Sequence, residues 1–232
     1  YPRPQFVREE WLCLNGEWQF EIDPGDSGIE RGLKDRELND KITVPFCPES
    51  PLSGIGEPDF LNAVWYRREV KIPESWTGMK TMLHFQAVDY DTTVWVNDME
   101  VMRHRGGFTP FSCDLSEVVK PGETAVIVVR ARDLKDMVKP SGKQSKEYKN
   151  RGCLYTRTTG IWQTVWLEPV PEIYLKRPRI TPDLGNRCFH IEQPLSKNKS
   201  GYTLKTKLNY KNKTVAEATV AADSDLAARA VL

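Results

Sequence analysis

Two aspartates at i and i+2, Asp89 and Asp91, are the residues best suited by type to acid–base work in this sequence. Paired carboxylates cleave glycosidic bonds when held about 5 Å apart for retention, or further apart for inversion. Flanking Tyr90 at the end of a strand-like run, the same acids read more plainly as turn or loop hydrogen-bonders, and that reading weighs more. His84 and His104 are potential bases, but neither has a serine or cysteine in a recognisable nucleophile motif such as GxSxG. Gly106-Gly107 reads as a turn, not as a phosphate cradle. Of the seven tryptophans, Trp95, Trp162 and Trp166 stand in dense apolar strands and are expected in the core. Trp76 and the loop aromatics Phe60, Tyr148 and Tyr155 are the better candidates for exposure and for stacking on a sugar ring. Arg151 and Arg157 have the donors to bind hydroxyls or a carboxylate, against the plainer reading of solvated loop charges. Five widely spaced cysteines without a CxxC pair read as mostly free, buried thiols, not as a disulfide framework or a zinc site. With three histidines in all, a multi-histidine metal centre is not expected, and neither metal ligands nor a cofactor are assigned.

The 232 residues are enough for one large β domain, or for one domain and part of another. Lys+Arg 33 against Asp+Glu 32 leaves a net charge of +1 and no basic stripe, a poor match to nucleic acid or an anionic membrane. No apolar run reaches the roughly 18 residues that a membrane-spanning helix needs. With Tyr1 first and no signal-like segment, the chain reads as a processed or trimmed form, which leaves export open. Periplasmic or secreted placement is slightly favoured over cytoplasmic. The Asn198-Lys199-Ser200 and Asn212-Lys213-Thr214 triplets match the glycosylation pattern but arise easily by chance.

The elements that must position these side chains are strands. Residues 81–116 supply the central block: Leu83, Phe85 and Ala87 alternate with His84 and Gln86 as in a half-buried strand. Residues 92–97 (TTVWVN) form a second strand, and Asn97-Asp98 turns the chain into 99–102. Upstream, EWQFEI (17–22) points Trp18, Phe20 and Ile22 one way, and KITVP (41–45) is a short strand ended by proline. Between them, 23–40 carries at most a short helix near 30–38. VWYRREVKI (64–72) puts Val64, Tyr66, Val70 and Ile72 on one face with Arg68 as its polar member, and AVIVVRA (125–131) is apolar on both faces. IWQTVWL (161–167) reads as one last strand. The stretches 46–63 and 132–159 are long loops, and loops of that length in compact domains are usually functional or mobile. This pattern predicts an all-β antiparallel sandwich. After PVPEIYLKRP, YTLKTKLNY (202–210) alternates with Tyr202, Leu204, Thr206, Leu208 and Tyr210 inward. It looks like the first half of an immunoglobulin-type sandwich, whose full length of about 100 residues exceeds what remains.

Six motifs in register carry a resemblance: LNGEWQF, VPFCPES, VWYRREVKIP, HFQAVDYDTTVWVND, GGFTPFSCDLS and TGIWQTVWLEPV. In that order they resemble glycoside hydrolase family 2, which includes β-galactosidases, β-glucuronidases and β-mannosidases. The resemblance implies a galactose-binding-like jelly roll over 1–173 and a truncated immunoglobulin-like domain over 174–232. It implies a retaining exo-glycosidase as parent, whose catalytic glutamates lie on a (β/α)8 barrel outside this chain, so no catalytic residue is assigned here. The implied partners are the barrel and a β-glycoside, with a homo-oligomer of the full-length protein left open. By position, 143–159 and 48–62 correspond to the segments that shape the substrate pocket, and Tyr155, Arg157 and Glu49 are the candidate contacts. The family's acidic residue shortly before the glycine matching Gly160 has no counterpart in LYTRTT (154–159), which leaves the sugar open. The competing reading is a free-standing carbohydrate-binding or structural β-sandwich module.

Overall fold

A computed structural model describes residues 1–4, 6–197, 199–222 and 227–232; Asn198 of the first glycosylation triplet lies outside the described residues. The chain divides into two compact units, Tyr1–Pro169 and Val170–Leu232.

The first unit is built from strands β1 (Leu12–Cys13), β2 (Gly16–Ile22), β3 (Asp40–Val44), β4 (Ala63–Lys71), β5 (Lys80–Phe85), β6 (Val88–Asp89), β7 (Asp91–Val96), β8 (Met99–Arg105), β9 (Phe111–Asp114), β10 (Thr124–Arg132), β11 (Gly160–Ile161) and β12 (Val165–Val170). Six of them form a sheet in the order β3-β2-β4-β10-β7-β8, four form a second in the order β1-β12-β5-β9, and β6 pairs with β11. The pairings are antiparallel, so the expected all-β antiparallel fold is what the sequence forms. Because side chains alternate along a strand, every second residue of each sheet faces the other sheet. Phe20, Val64, Tyr66, Val94, Ile127 and Val129 from the larger sheet meet Leu83, Phe85, Cys113 and Leu167 from the smaller in one buried core. Arg68 is accommodated on that inner face by donating to the Leu14 carbonyl at 2.6 Å. The β7–β8 hairpin turns on Asn97 and Asp98, both left-handed with φ of 47° and 68°, as the Asn-Asp pair predicts.

Part of the opposite face of the six-stranded sheet is also apolar and covered, which explains why β10 reads as hydrophobic on both sides. Trp65 and Trp95 stack there with ring centroids 5.7 Å apart, and Leu33 and Leu38 cover them together with Val128. The covering segment is a chain of turns; the short helix expected near 30–38 does not form. The buried Asp23 carboxylate organises it, accepting from the Gly28 N–H at 2.7 Å, the Ser27 N–H at 3.1 Å and the Trp65 Nε1–H at 3.1 Å. Those bonds let the chain bend back on itself where helical bonds would have carried it away from the sheet.

Four other expectations need correction. Residues 161–167 are two strands, β11 and β12, in different sheets, because the chain changes layer at Trp162–Thr164. Trp76 is buried, its Nε1–H donating to Glu10 at 2.9 Å, and is no candidate for sugar stacking. His84 is buried although it lies on the supposed polar face of β5, because Trp166 stacks on it. All five cysteines are free, but Cys113 is the buried one, while Cys13 and Cys153 are exposed.

In the second unit β13 (Arg179–Asp183), β14 (Cys188–Pro194) and β17 (Ala227–Val231) form one sheet, and β15 (Thr203–Tyr210) pairs with β16 (Lys213–Ala221). Leu204 is buried in its small core with Leu195, Ala222 and Ala228. Tyr202 and Tyr210, expected to point inward, are exposed at the two ends of the alternating run.

Candidate functional site

The two long loops meet through Arg157. Its guanidinium is buried, with Nη1 donating to the Glu147 carbonyl at 2.6 Å and Nη2 to the Pro58 carbonyl, and it lies 4.2 Å from the Phe60 ring centroid. The plain reading of a solvated charge therefore fails for Arg157. It holds for Arg151, which is an exposed partner of Glu147 at 2.8 Å. Beside Arg157 opens a cavity of about 310 Å³, lined among others by Phe60, Asp133, Lys135, Lys139, Gln144 and Arg157.

The wall of this cavity is a hydrogen-bonded chain that sequence reasoning did not assemble. Thr159 donates its N–H to Glu49 Oε2 at 3.2 Å and its hydroxyl to Asp133 Oδ2 at 3.3 Å. Asp133 in turn pairs with Lys139. Gln144 joins the next carboxylate, donating from Nε2 to Asp89 at 2.8 Å while its Oε1 accepts the Thr158 N–H at 3.1 Å. Burial pushes the carboxyls of Glu49 and Asp89 up from their ordinary values, opposed in part by these donors, and pushes the Lys139 ammonium down. Asp133 and Lys139 gave no sequence signal, since one ends a strand and the other lies in an aperiodic lysine-rich loop. Asp89 serves as an acceptor for that loop, in keeping with the plainer of its two readings.

The three candidate contacts fall in different places. Arg157 lines the cavity; Glu49 stands behind Thr159, buried; Tyr155 lies outside the lining and is exposed, its hydroxyl accepting the Lys143 N–H at 3.3 Å. Tyr148 is exposed as expected, and Phe60 is half-buried under Arg157. The histidines lie elsewhere: His104 stacks on Phe111, and His84 lies between Ser112 and Glu168. Removing the Arg157 donors while keeping its apolar stem, as in Arg157→Met, is expected to cost about 1 kcal/mol. The measurable sign is faster proteolytic cleavage within 143–156 at unchanged far-ultraviolet circular dichroism; an unchanged cleavage rate would contradict the tie between the loops.

A jelly-roll-like sandwich with its polar cavity built from two interstrand loops defines the class. Residues 12–168 match the family described as glycosyl hydrolases family 2, sugar binding domain, and the chain belongs to that family. A β-glucuronidase of Paenibacillus borealis is 29% identical over 200 residues, 79% of this chain and 33% of that protein. A β-galactosidase of Thermoanaerobacter pseudethanolicus is 30% identical over 174 residues, 72% of this chain and 21% of that protein. Among solved structures, a Ruminococcus gnavus β-glucuronidase superposes with a TM-score of 0.74 at 20% identity, covering 100% of this chain and 39% of that one. The chain thus spans a third or less of the length of these two curated relatives. No helix among the described residues is long and apolar enough to cross a membrane.

Proposed function

We propose that this chain is the non-catalytic sugar-binding part of a retaining family 2 exo-glycosidase acting on β-glucuronides or β-galactosides. In this reading the acid/base and nucleophile glutamates stand on a separate catalytic barrel. The sandwich packs against that barrel, and residues 143–159 complete its substrate pocket. The observation that carries the proposal is the family match over residues 12–168, among relatives about three times as long that are named β-glucuronidase. The loop chemistry agrees with it. Arg157 Nε and Glu49 Oε1 are buried without a partner among the described residues, and buried polar groups are ordinarily paired. The barrel or the sugar is the natural source of those partners, and the exposed ring of Tyr155 offers a stacking face at the rim.

The test is turnover of 4-nitrophenyl β-glucuronide and β-galactoside by the 232-residue protein, paired with calorimetric titration against both sugars. No turnover and at most millimolar binding are expected. Turnover by this chain alone would overturn the division of labour, and micromolar binding would replace it with a free-standing carbohydrate-binding module.

A further inference from the structure

The second unit holds a donor set that the proposed function does not use. On the β13–β14 hairpin, Asp183 stands directly opposite Cys188, and His190 follows Cys188 by two residues. Residues at i and i+2 of a strand share a face, and directly opposed residues are nearest neighbours across the ladder. The hairpin register therefore gathers a carboxylate, a thiol and an imidazole on one surface. His190 Nε2 lies 3.7 Å from Cys188 Sγ and 3.4 Å from Asp183 Oδ2, and the three donor atoms lie within 4.8 Å of one another.

These spacings have a meaning for a tetrahedral ion. With zinc bonds of about 2.3 Å to sulfur and about 2.0–2.2 Å to nitrogen and oxygen, tetrahedral geometry puts sulfur and nitrogen about 3.6 Å apart and nitrogen and oxygen about 3.4 Å apart. Two edges of the ligand triangle already have these lengths, and the Asp183–Cys188 edge is within 4.8 Å. Asp183 is also oriented from behind: Oδ1 accepts the Asn186 N–H at 3.0 Å and Oδ2 the Asn186 amide at 2.8 Å. Hydrogen bonds of this kind to a metal ligand fix its direction. A turn needs only the first of them, and it needs neither the thiol nor the imidazole. Cys188 and Asp183 are half-buried and His190 is exposed, so an ion can enter from solvent.

We infer that Asp183, Cys188 and His190 form a three-ligand site for a borderline-soft divalent cation, zinc foremost, with the fourth tetrahedral position left to water. The thiolate and imidazole select against calcium and magnesium, which prefer sets made of oxygen.

The test uses the untagged, reduced 232-residue protein, freed of metal by a chelator and titrated with Co²⁺ and then Zn²⁺. One equivalent of Co²⁺ is expected to bind, with a thiolate-to-cobalt charge-transfer band and the intense visible bands of tetrahedral cobalt, all displaced by Zn²⁺. Cys188→Ser removes the charge-transfer band. His190→Ala and Asp183→Asn each weaken Co²⁺ binding by at least about tenfold, at unchanged circular dichroism. Cys153→Ser leaves spectrum and affinity as they were. No charge-transfer band at millimolar Co²⁺, or a band that survives in Cys188→Ser, would overturn the assignment.

Discussion

Replacing Gly160 with alanine is expected to destabilise the protein by about 3–4 kcal/mol, the largest effect of any single methyl group added at the candidate site. Two costs combine. Gly160 has a φ of 74°, where a Cβ meets the backbone and a non-glycine residue is disfavoured by about 1–2 kcal/mol. The added Cβ would also stand 2.2 Å from the Tyr66 hydroxyl oxygen and 3.0 Å from two of its ring carbons. Tyr66 has nowhere to go, being fully buried, edge-on to Phe20 at 5.1 Å and holding the Ile161 N–H at 3.1 Å. Overpacking of this kind typically costs about 1–3 kcal/mol. Since Gly160 pairs with Asp89 and follows Thr159, the damage should spread into the 133–159 loop and its cavity. Urea unfolding measures the loss. In a Tyr66→Phe background, which deletes the oxygen in the way but also the bond to the Ile161 N–H, Gly160→Ala should cost less than it does in wild type, while the part due to the ring carbons at 3.0 Å and to the backbone should remain. A Gly160→Ala protein within 0.5 kcal/mol of wild type, a shift ordinary for surface substitutions, would refute this account of the junction.

How far such features can be read from residues depends on how local their causes are. The strands β4, β7 and β10 are legible because period-two alternation and β-branched density are properties of a few neighbours. Arg68, the polar member of the inner face of β4, is legible as an oddity; its answer, the carbonyl of Leu14, lies 54 residues away. The layer of turns over Trp65 and Trp95 is not legible, since Asp23 builds it from backbone donors that leave no periodic trace. Trp76 reads as exposed because turn residues surround it, yet its ring is buried and its indole N–H donates to Glu10, 66 residues upstream. The same holds at the site. Position in the motifs directs attention to Glu49, Tyr155 and Arg157, but that Arg157 is engaged by Pro58 depends on a contact across 99 residues. The chain Glu49–Thr159–Asp133–Lys139 depends on which loop ends the sheet order brings together, and sheet order is a property of the whole first unit.

Acid is expected to weaken the first unit through Glu168, and the window follows from the group's surroundings. Glu168 is buried on β12, where it receives Arg8 at 2.7 Å, the Tyr1 hydroxyl, and His84 Nε2 at 2.9 Å. Against the burial that opposes its charge, these donors hold the carboxyl down at about 2 from an ordinary 4.5. Burial in turn pushes the His84 imidazole below its ordinary value, so it is neutral at pH 7. Its Nε2 stands 2.9 Å from Glu168 Oε1 and its Nδ1 2.5 Å from the Ser112 hydroxyl, while the ring stacks on Trp166. A carboxylate whose folded value is depressed binds fewer protons in the native than in the unfolded state. Its contribution is therefore present above pH 4.5 and is lost as pH falls from there toward 2. The full shift corresponds to about 3 kcal/mol, and the partly exposed Arg8 arm lowers the expectation to about 2 kcal/mol. Glu168→Gln should therefore be less stable than wild type by about that amount at pH 7, and the difference should shrink steadily between pH 4.5 and pH 2. The Tyr1 hydroxyl, raised to about 12 chiefly by burial and then by the same carboxylate, acts at the other limb: its stabilisation holds below pH 10 and is lost on the way to 12. Tyr1→Phe should flatten that alkaline limb and also shorten the acid one, because the Tyr1 hydroxyl is one of the donors that hold Glu168 down. Urea unfolding followed by tryptophan fluorescence reads both, and a Glu168→Gln deficit that stays constant from pH 7 to pH 2 would show that the carboxylate's charge is not what holds the N-terminal segment to β12.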